Sequence, residues 1–167
     1  RKVDLLNKGQ SYIKHVTATD LRPYMARRKF EATTEFARLS KMDAVIICVP
    51  TPLDAHRNPD LSFVLNTTET IAKHLRKGQL VILESTTYPG TTEDVILPIL
   101  EKGGHKHNRD FYLSFSPERI DPGNKQFPVN KIPKVVGGLT PEATLLATAV
   151  YKNIIDRVVP VSGARVA

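Results

Sequence analysis

Val81-Ile82-Leu83-Glu84-Ser85-Thr86-Thr87-Tyr88-Pro89-Gly90 is the stretch whose reading decides the fold. An apolar run breaks into hydroxyls, then a Pro-Gly corner, and Thr91-Thr92-Glu93 opens a new apolar period. This grammar predicts a buried strand over 79–86 whose carboxyl end delivers Ser85, Thr86 and Thr87 to a crevice. In open α/β sheets, ligands sit at such strand ends. Two further segments share the pattern. Asp43-Ala44-Val45-Ile46-Ile47-Cys48-Val49 runs into Pro50-Thr51-Pro52, and Phe111-Tyr112-Leu113-Ser114-Phe115 runs into Ser116-Pro117-Glu118-Arg119. Three strands ending in polar, proline-stiffened tips predict one site.

Working outward, strands alternate with helices. The run 43–49 is continuous rather than alternating, as in a strand buried on both faces. A helix capped by Asp60 or Ser62 follows, with apolar or small residues at 61, 64, 65, 68, 71, 72 and 75, which is helical spacing. It stops at Gly78. After Gly90, Val95, Ile96, Ile99 and Leu100 share one helix face, which Pro98 should bend by removing a donor. Thr140-Pro141-Glu142 starts another helix, Lys134 to Gly138 forms a short strand, and Arg157 to Val161 the last one. Toward the amino end, residues 1–8 form a helix ending at Gly9, and Thr17 to Asp20 cap a second helix reaching about Lys29, with Pro23 in its first turn. Residues 30–33 suggest a short strand and 34–39 a short helix. The expected fold class is α/β: a doubly wound, mostly parallel, Rossmann-like sheet covered on both faces.

Composition narrows the function classes. The chain has 167 residues, enough for one domain with a real core. Its net charge of +7 is spread over the sequence, without the basic stripe and stacking aromatics that nucleic-acid binding asks for. No nucleic-acid partner is expected, and the charge suits an anionic small molecule. The apolar runs fall far short of the ~20 residues that span a bilayer, so no membrane partner is expected either. The single cysteine, Cys48, excludes a disulfide framework and is expected in the core of its strand. A cytoplasmic location is the default expectation. His105-Lys106-His107 lacks the cysteines or carboxylates that zinc favours, so no metal is expected. Gly137-Gly138 is too short for a phosphate cradle and fits a strand-to-helix turn feeding Thr140.

The quoted strand ends resemble the UDP-glucose/GDP-mannose dehydrogenase family. The matching wording is Val49-Pro50-Thr51-Pro52-Leu53-Asp54, the whole 84–93 segment, Phe115-Ser116-Pro117-Glu118-Arg119 and Lys134-Val135-Val136-Gly137-Gly138. Within the family, Tyr88-Pro89-Gly90-Thr91-Thr92 tilts toward the branch acting on UDP-N-acetylglucosamine, over UDP-N-acetylmannosamine or UDP-glucose. The resemblance implies an NAD-dependent oxidoreductase of nucleotide-sugar metabolism, used for polysaccharide biosynthesis, that takes a C6 alcohol to a carboxylate in two oxidations. A cysteine carries the carbon as thiohemiacetal and then thioester, splitting one hard step into easier ones. It further implies a homodimer or higher homo-oligomer.

Carried over residue by residue, the resemblance implies these roles. Thr87 supports the hydrolytic water and lies near the nicotinamide. Glu118 is the carboxylate for thioester hydrolysis. Arg119 and the backbone of Ile120 meet the substrate, while Thr51 and Lys2 face the cofactor, Lys2 at its adenosine end. Two family elements are not found here: the Gly-rich turn after the first strand, with its acidic partner, and the nucleophilic cysteine with its lysine and asparagine. Cys48, preceding Val-Pro, is not in that cysteine's setting. The resemblance therefore implies that residues 1–167 are an NAD-binding domain lacking its first βα unit, without the central helix and UDP-sugar domains, and inactive alone. From a different class, a non-catalytic nucleotide- or partner-binding module fits the same observations.

Overall fold

The computed structural model describes residues 1–13, 16–53, 57–118 and 131–167. It divides into two compact units, Arg1–Phe36 and Ala37–Ala167.

In the first unit, α1 (Lys2–Asn7) closes at Gly9, whose φ of 70° suits a residue without Cβ. The helix α2 (Ala18–Ala26) begins with a capping box, in which the Thr17 hydroxyl accepts from the Asp20 amide and the Asp20 carboxylate accepts from the Thr17 amide. Because the helix starts at Ala18, Pro23 falls inside it rather than in its first turn. It ends at Ala26, before the expected Lys29. Residues 30–33 form no strand. Instead the Asn7 side chain bonds both the amide and the carbonyl of Ala32, at 2.8 Å each. That side chain supplies what a strand partner would otherwise have given.

The second unit carries a five-stranded sheet in the order β1 (Ala44–Ile47), β2 (Gln79–Leu83), β3 (Phe111–Phe115), β4 (Lys134–Gly138), β5 (Val158–Pro160). The first three strands are mutually parallel, β4 runs antiparallel to β3, and β5 is parallel to β4. Every residue of β2 is buried, as its apolar run requires. Its alternate side chains feed two cores. Val81 and Leu83 join Val45, Ile47, Phe111 and Leu113 beneath α3 (Ser62–His74) and α4 (Leu97–Glu101). Leu80 and Ile82 join Val136, Ala147 and Tyr151 beneath α5 (Pro141–Tyr151). The sheet is thus covered on both faces, as expected of an α/β fold.

The outer strand departs from expectation. β1 stands at the edge of the described sheet, and Ile46 and Cys48 are exposed, although a continuous apolar run had predicted burial on both faces. Its other side, through Val45 and Ile47, is core. At the opposite end of the strands, Gln79 is buried but fully used. Its oxygen accepts from Arg76 N, and its nitrogen donates to the carbonyls of Leu39 and Met42, anchoring the 3-10 segment Phe36–Lys41.

The segment after Gly90 is also more specific than the pattern foretold. Thr91–Ile96 winds as a π-helix before α4 takes over at Leu97, with Pro98 at the first turn of α4. A proline without an N–H is harmless there, so the wider turn and the restart replace the expected bend. Close packing of α5 depends on Gly138. A Cβ at that position would come within 2.4 Å of Thr144 N and 2.7 Å of the Ala143 carbonyl carbon. Gly137-Gly138 thus feeds the Thr140 cap, whose hydroxyl accepts from Ala143 N.

The loop before β3 holds a titratable weak point. His107 packs edge-on against Phe111, ring centres 5.7 Å apart, and its Nε2 is buried without a hydrogen-bond partner. Burial lowers its pKa below the ordinary 6.5, with Glu101 opposing in part. The folded protein therefore binds fewer protons than the unfolded chain as pH falls past the unfolded value, and stability present above that value is lost. Urea denaturation should show His107→Phe losing less stability than wild type between about pH 7 and about pH 5.

Candidate functional site

Because β1, β2 and β3 are adjacent and parallel, their carboxyl ends share one edge. The polar tips expected to form one site are brought together there, but their hydroxyls divide into two kinds. Ser85 is buried and joins the β2 tip to the β1 tip, accepting from Val49 N (2.9 Å) and donating to Val49 O (2.8 Å). Ser116 is likewise buried, its amide bonding Leu83 O and its hydroxyl Val135 O. These two fasten neighbouring strand ends to each other.

Thr87 is of the other kind. It is half-buried and lines a cleft of about 270 Å³ with Gly90, Thr92, Phe115, Pro117 and Arg165. It does not cap the following helix, whose N-cap is Gly90 at φ 96° with no side-chain cap. The Gly90 carbonyl instead takes the amides of Glu93 and Asp94. Arg165 is held at the cleft by the Glu93 and Asp94 carboxylates. Glu118 is exposed, one residue beyond the cleft-lining Pro117. Thr51 is half-buried on the loop after β1, a loop closed by the Leu53–Pro59 bridge and by Asp60 N donating to Pro52 O. Lys2 belongs to the first unit, where its ammonium stands 5.3 Å from the Tyr12 ring centre. Arg119 and Ile120 lie outside the described residues, as does the 121–130 segment.

Sequence reasoning missed a charged group at the heart of this edge. Glu84 directly follows β2 and Lys134 starts the antiparallel β4, and the two form an ion pair with side chains only 17% and 8% exposed. The Tyr151 hydroxyl donates to the other Glu84 oxygen at 2.6 Å, and the Lys134 ammonium sits 5.2 Å from the Tyr151 ring centre. Burial, then the hydrogen bond to Glu84, pushes the Tyr151 phenol far above its ordinary pKa. A carboxylate directly after Val81-Ile82-Leu83 was a legible sign of a buried charge. Its partner was not legible, because the reversal of β4 brings Lys134 to it.

Cys48 was expected in the core and is exposed, because it continues β1, whose outward face α5 does not cover. Although the residue is exposed by area, the protein around the sulfur raises its thiol to about 11. Desolvation contributes most, followed by the Glu84 charge, with Lys134 opposing.

The profile of the UDP-glucose/GDP-mannose dehydrogenase family, NAD binding domain, matches residues 1–155. The chain belongs to this family. It is 48% identical over 118 residues to UDP-N-acetyl-D-glucosamine 6-dehydrogenase of Pseudomonas aeruginosa, covering 70% of this chain and 28% of that protein. With UDP-N-acetyl-D-mannosamine dehydrogenase of Pyrococcus horikoshii it shares 31% identity, over 91% of this chain and 37% of the relative. The solved NDP-N-acetyl-D-galactosaminuronic acid dehydrogenase of Methanosarcina mazei Go1 superposes with a TM-score of 0.91 at 32% identity, over 99% of this chain and 36% of that one. The chain thus spans 28–37% of the length of these relatives. The fold and the NAD-binding class of the domain follow. Among the described residues, no helix is long and apolar enough to cross a membrane.

Alkylation tests the electrostatics of the edge. With a thiol pKa of about 11, Cys48 should react with iodoacetamide at pH 8 roughly 10- to 100-fold more slowly than a free peptide cysteine. Its rate should keep climbing with pH past the point where the peptide's has levelled. Mass spectrometry of the labelled protein gives both curves.

Proposed function

We propose that this chain is the cofactor-binding part of an NAD-dependent dehydrogenase that oxidises the C6 alcohol of UDP-N-acetylglucosamine to the carboxylate. The observation carrying the proposal is the cleft at the carboxyl ends of β2 and β3, with Thr87 on its wall and Glu118 following Pro117 at its rim. The 48% identity to a dehydrogenase of that name favours the substrate. The chain's match to a UDP-N-acetylmannosamine dehydrogenase over 91% of its length supports that sugar as the second reading.

The residues fit the nicotinamide end of the cofactor better than its pyrophosphate. The cleft offers a neutral Thr87 hydroxyl beside apolar Phe115 and Pro117, which suits an uncharged ribose and a flat ring. A pyrophosphate would want a Gly-rich helix amino end. Gly137 cannot serve, because a Cβ there would lie 2.2 Å from Gly163 O, so it already packs against backbone. NAD, when bound, supplies the hydride acceptor for each of the two oxidations.

This chain's residues do the rest of the work assigned to them. Thr87 places a water beside the reacting carbon. Glu118 takes a proton from that water during hydrolysis of the acyl intermediate. Arg119 and the Ile120 backbone hold the sugar nucleotide, and Lys2 with Thr51 meets the cofactor. Cys48 stays a bystander: a thiol near pKa 11 is almost wholly un-ionised at neutral pH and poorly suited to nucleophilic attack. The nucleophile, in this reading, lies in a part of the protein outside residues 1–167.

The test follows NADH by absorbance in the full-length protein, with UDP-N-acetylglucosamine and its mannosamine and glucose counterparts. Two NADH per UDP-N-acetylglucosamine, and little from the others, is expected. Glu118→Gln and Thr87→Val should each lower kcat on the order of 100-fold, and the isolated 167-residue chain should not turn over. Reduction with UDP-glucose alone would keep the mechanism and overturn the substrate.

A further inference from the structure

The Glu84, Lys134 and Tyr151 group has no part in the chemistry proposed above, yet it is the most fully engaged set of charges at the strand tips. Each polar atom has a partner. One Glu84 oxygen takes the Lys134 ammonium and the other takes the Tyr151 hydroxyl. The ammonium makes one more contact, donating to the Pro117 carbonyl at 3.2 Å.

That contact has a consequence for Glu118. The Pro117 carbonyl and the Glu118 amide are two halves of one planar peptide unit. Upstream, Ser116 is fastened by its amide to Leu83 O and by its hydroxyl to Val135 O. Past Ser116 the chain leaves the sheet, and the Lys134 ammonium holds the next carbonyl. Fixing that carbonyl sets the plane from which the Glu118 side chain departs. Proline at 117 already restricts the rotation before it, so one hydrogen bond suffices to orient the unit.

Stability alone gives a poor account of why charges stand here. Apolar residues of similar volume often hold a buried site as well as an ion pair does. They could not bind a carbonyl. Lysine can, and Glu84, itself oriented by Tyr151, sets an opposite charge beside the nearly buried ammonium.

We propose that Lys134 is a positioning residue for Glu118: held by Glu84 and Tyr151, it clamps the Pro117 carbonyl and so aims the Glu118 carboxylate. The proposal rests on the reading of Glu118 as the base for hydrolysis of the acyl intermediate.

The test uses the full-length protein and compares Lys134→Met, the double variant Glu84→Gln/Lys134→Met, and Lys134→Arg. In Lys134→Met, kcat should fall on the order of 10- to 100-fold with KM for the sugar nucleotide changed by no more than about twofold. Pre-steady-state NADH should appear as a burst proportional to enzyme, because the oxidations proceed while hydrolysis lags. The double variant removes the uncompensated carboxylate, so its melting temperature should recover toward wild type while kcat stays low. Lys134→Arg should regain most of kcat. If Lys134→Met does not fold, the double variant decides alone. Recovery of kcat along with stability in the double variant, or unchanged kcat without a burst in Lys134→Met, overturns the proposal. A wild-type protein that reduces no NAD with any of the three sugars overturns the functional reading and this role with it. An active wild type with an indifferent Lys134 overturns the positioning role alone.

Discussion

A nearly buried ion pair between Glu84 and Lys134 ties together the edge of the sheet on which everything else depends. Taking both charges out of water is costly, and the pair persists because its remaining atoms are engaged as well: Tyr151 on the carboxylate, the Pro117 carbonyl and the Tyr151 ring on the ammonium. Four elements meet through it, the ends of β2, β3 and α5 and the start of β4. An apolar seam could join them too, but only a donor can reach past the last ladder bond of β3 and hold the chain where Glu118 begins.

Around that group, the tip residues divide their labour. The Ser85 hydroxyl both accepts from and donates to the Val49 backbone, and the Ser116 amide and hydroxyl donate to Leu83 O and Val135 O, which stiffens the floor. Thr87 faces the cleft, and the Gly90 corner with its left-handed φ lets the π-helical turn start close behind it. The wide turn gives way to a new helix at Leu97, with Pro98 in its first turn. A rigid floor, a half-buried hydroxyl and a carboxylate on a stiff tip are a combination suited to placing a water, which links the packing of this edge to the chemistry proposed for it.

Local pattern reported the second unit well where one physical cause dominated. The continuous apolar run of β2 demanded two covered faces and has them. The 61–75 spacing demanded one buried helix face, and Val64, Thr68 and Ile71 supply it. Pattern misled where neighbours decide. The apolar run of β1 looked equally buried, but at the edge of the described sheet only its Val45 and Ile47 side is covered, and Ile46 and Cys48 are exposed. Phe30 to Thr33 looked like a strand, but a single asparagine side chain satisfies Ala32 instead. The strand tips were legible because hydroxyls and prolines after an apolar run have few other uses. The ion pair was not, since Glu84 and Lys134 are far apart in the chain and meet only if β4 runs backwards.

The sequence by itself determined the α/β class, the succession of strands and helices, the family, and the placement of Thr51, Thr87 and Glu118 at strand ends. The family is carried by the wording of the strand tips; the other features are written in continuous apolar runs, in the 3.6-residue period, in caps and in turn residues, all of which act over a few positions. Tertiary structure alone decided the order and direction of the strands, and therefore which charges lie together. It also sorted the hydroxyls, giving Ser85 and Ser116 to the backbone and Thr87 to the cleft. The physical reason is range: propensity and capping are satisfied within a turn of chain, whereas a desolvated charge must find its partner wherever the fold has brought one.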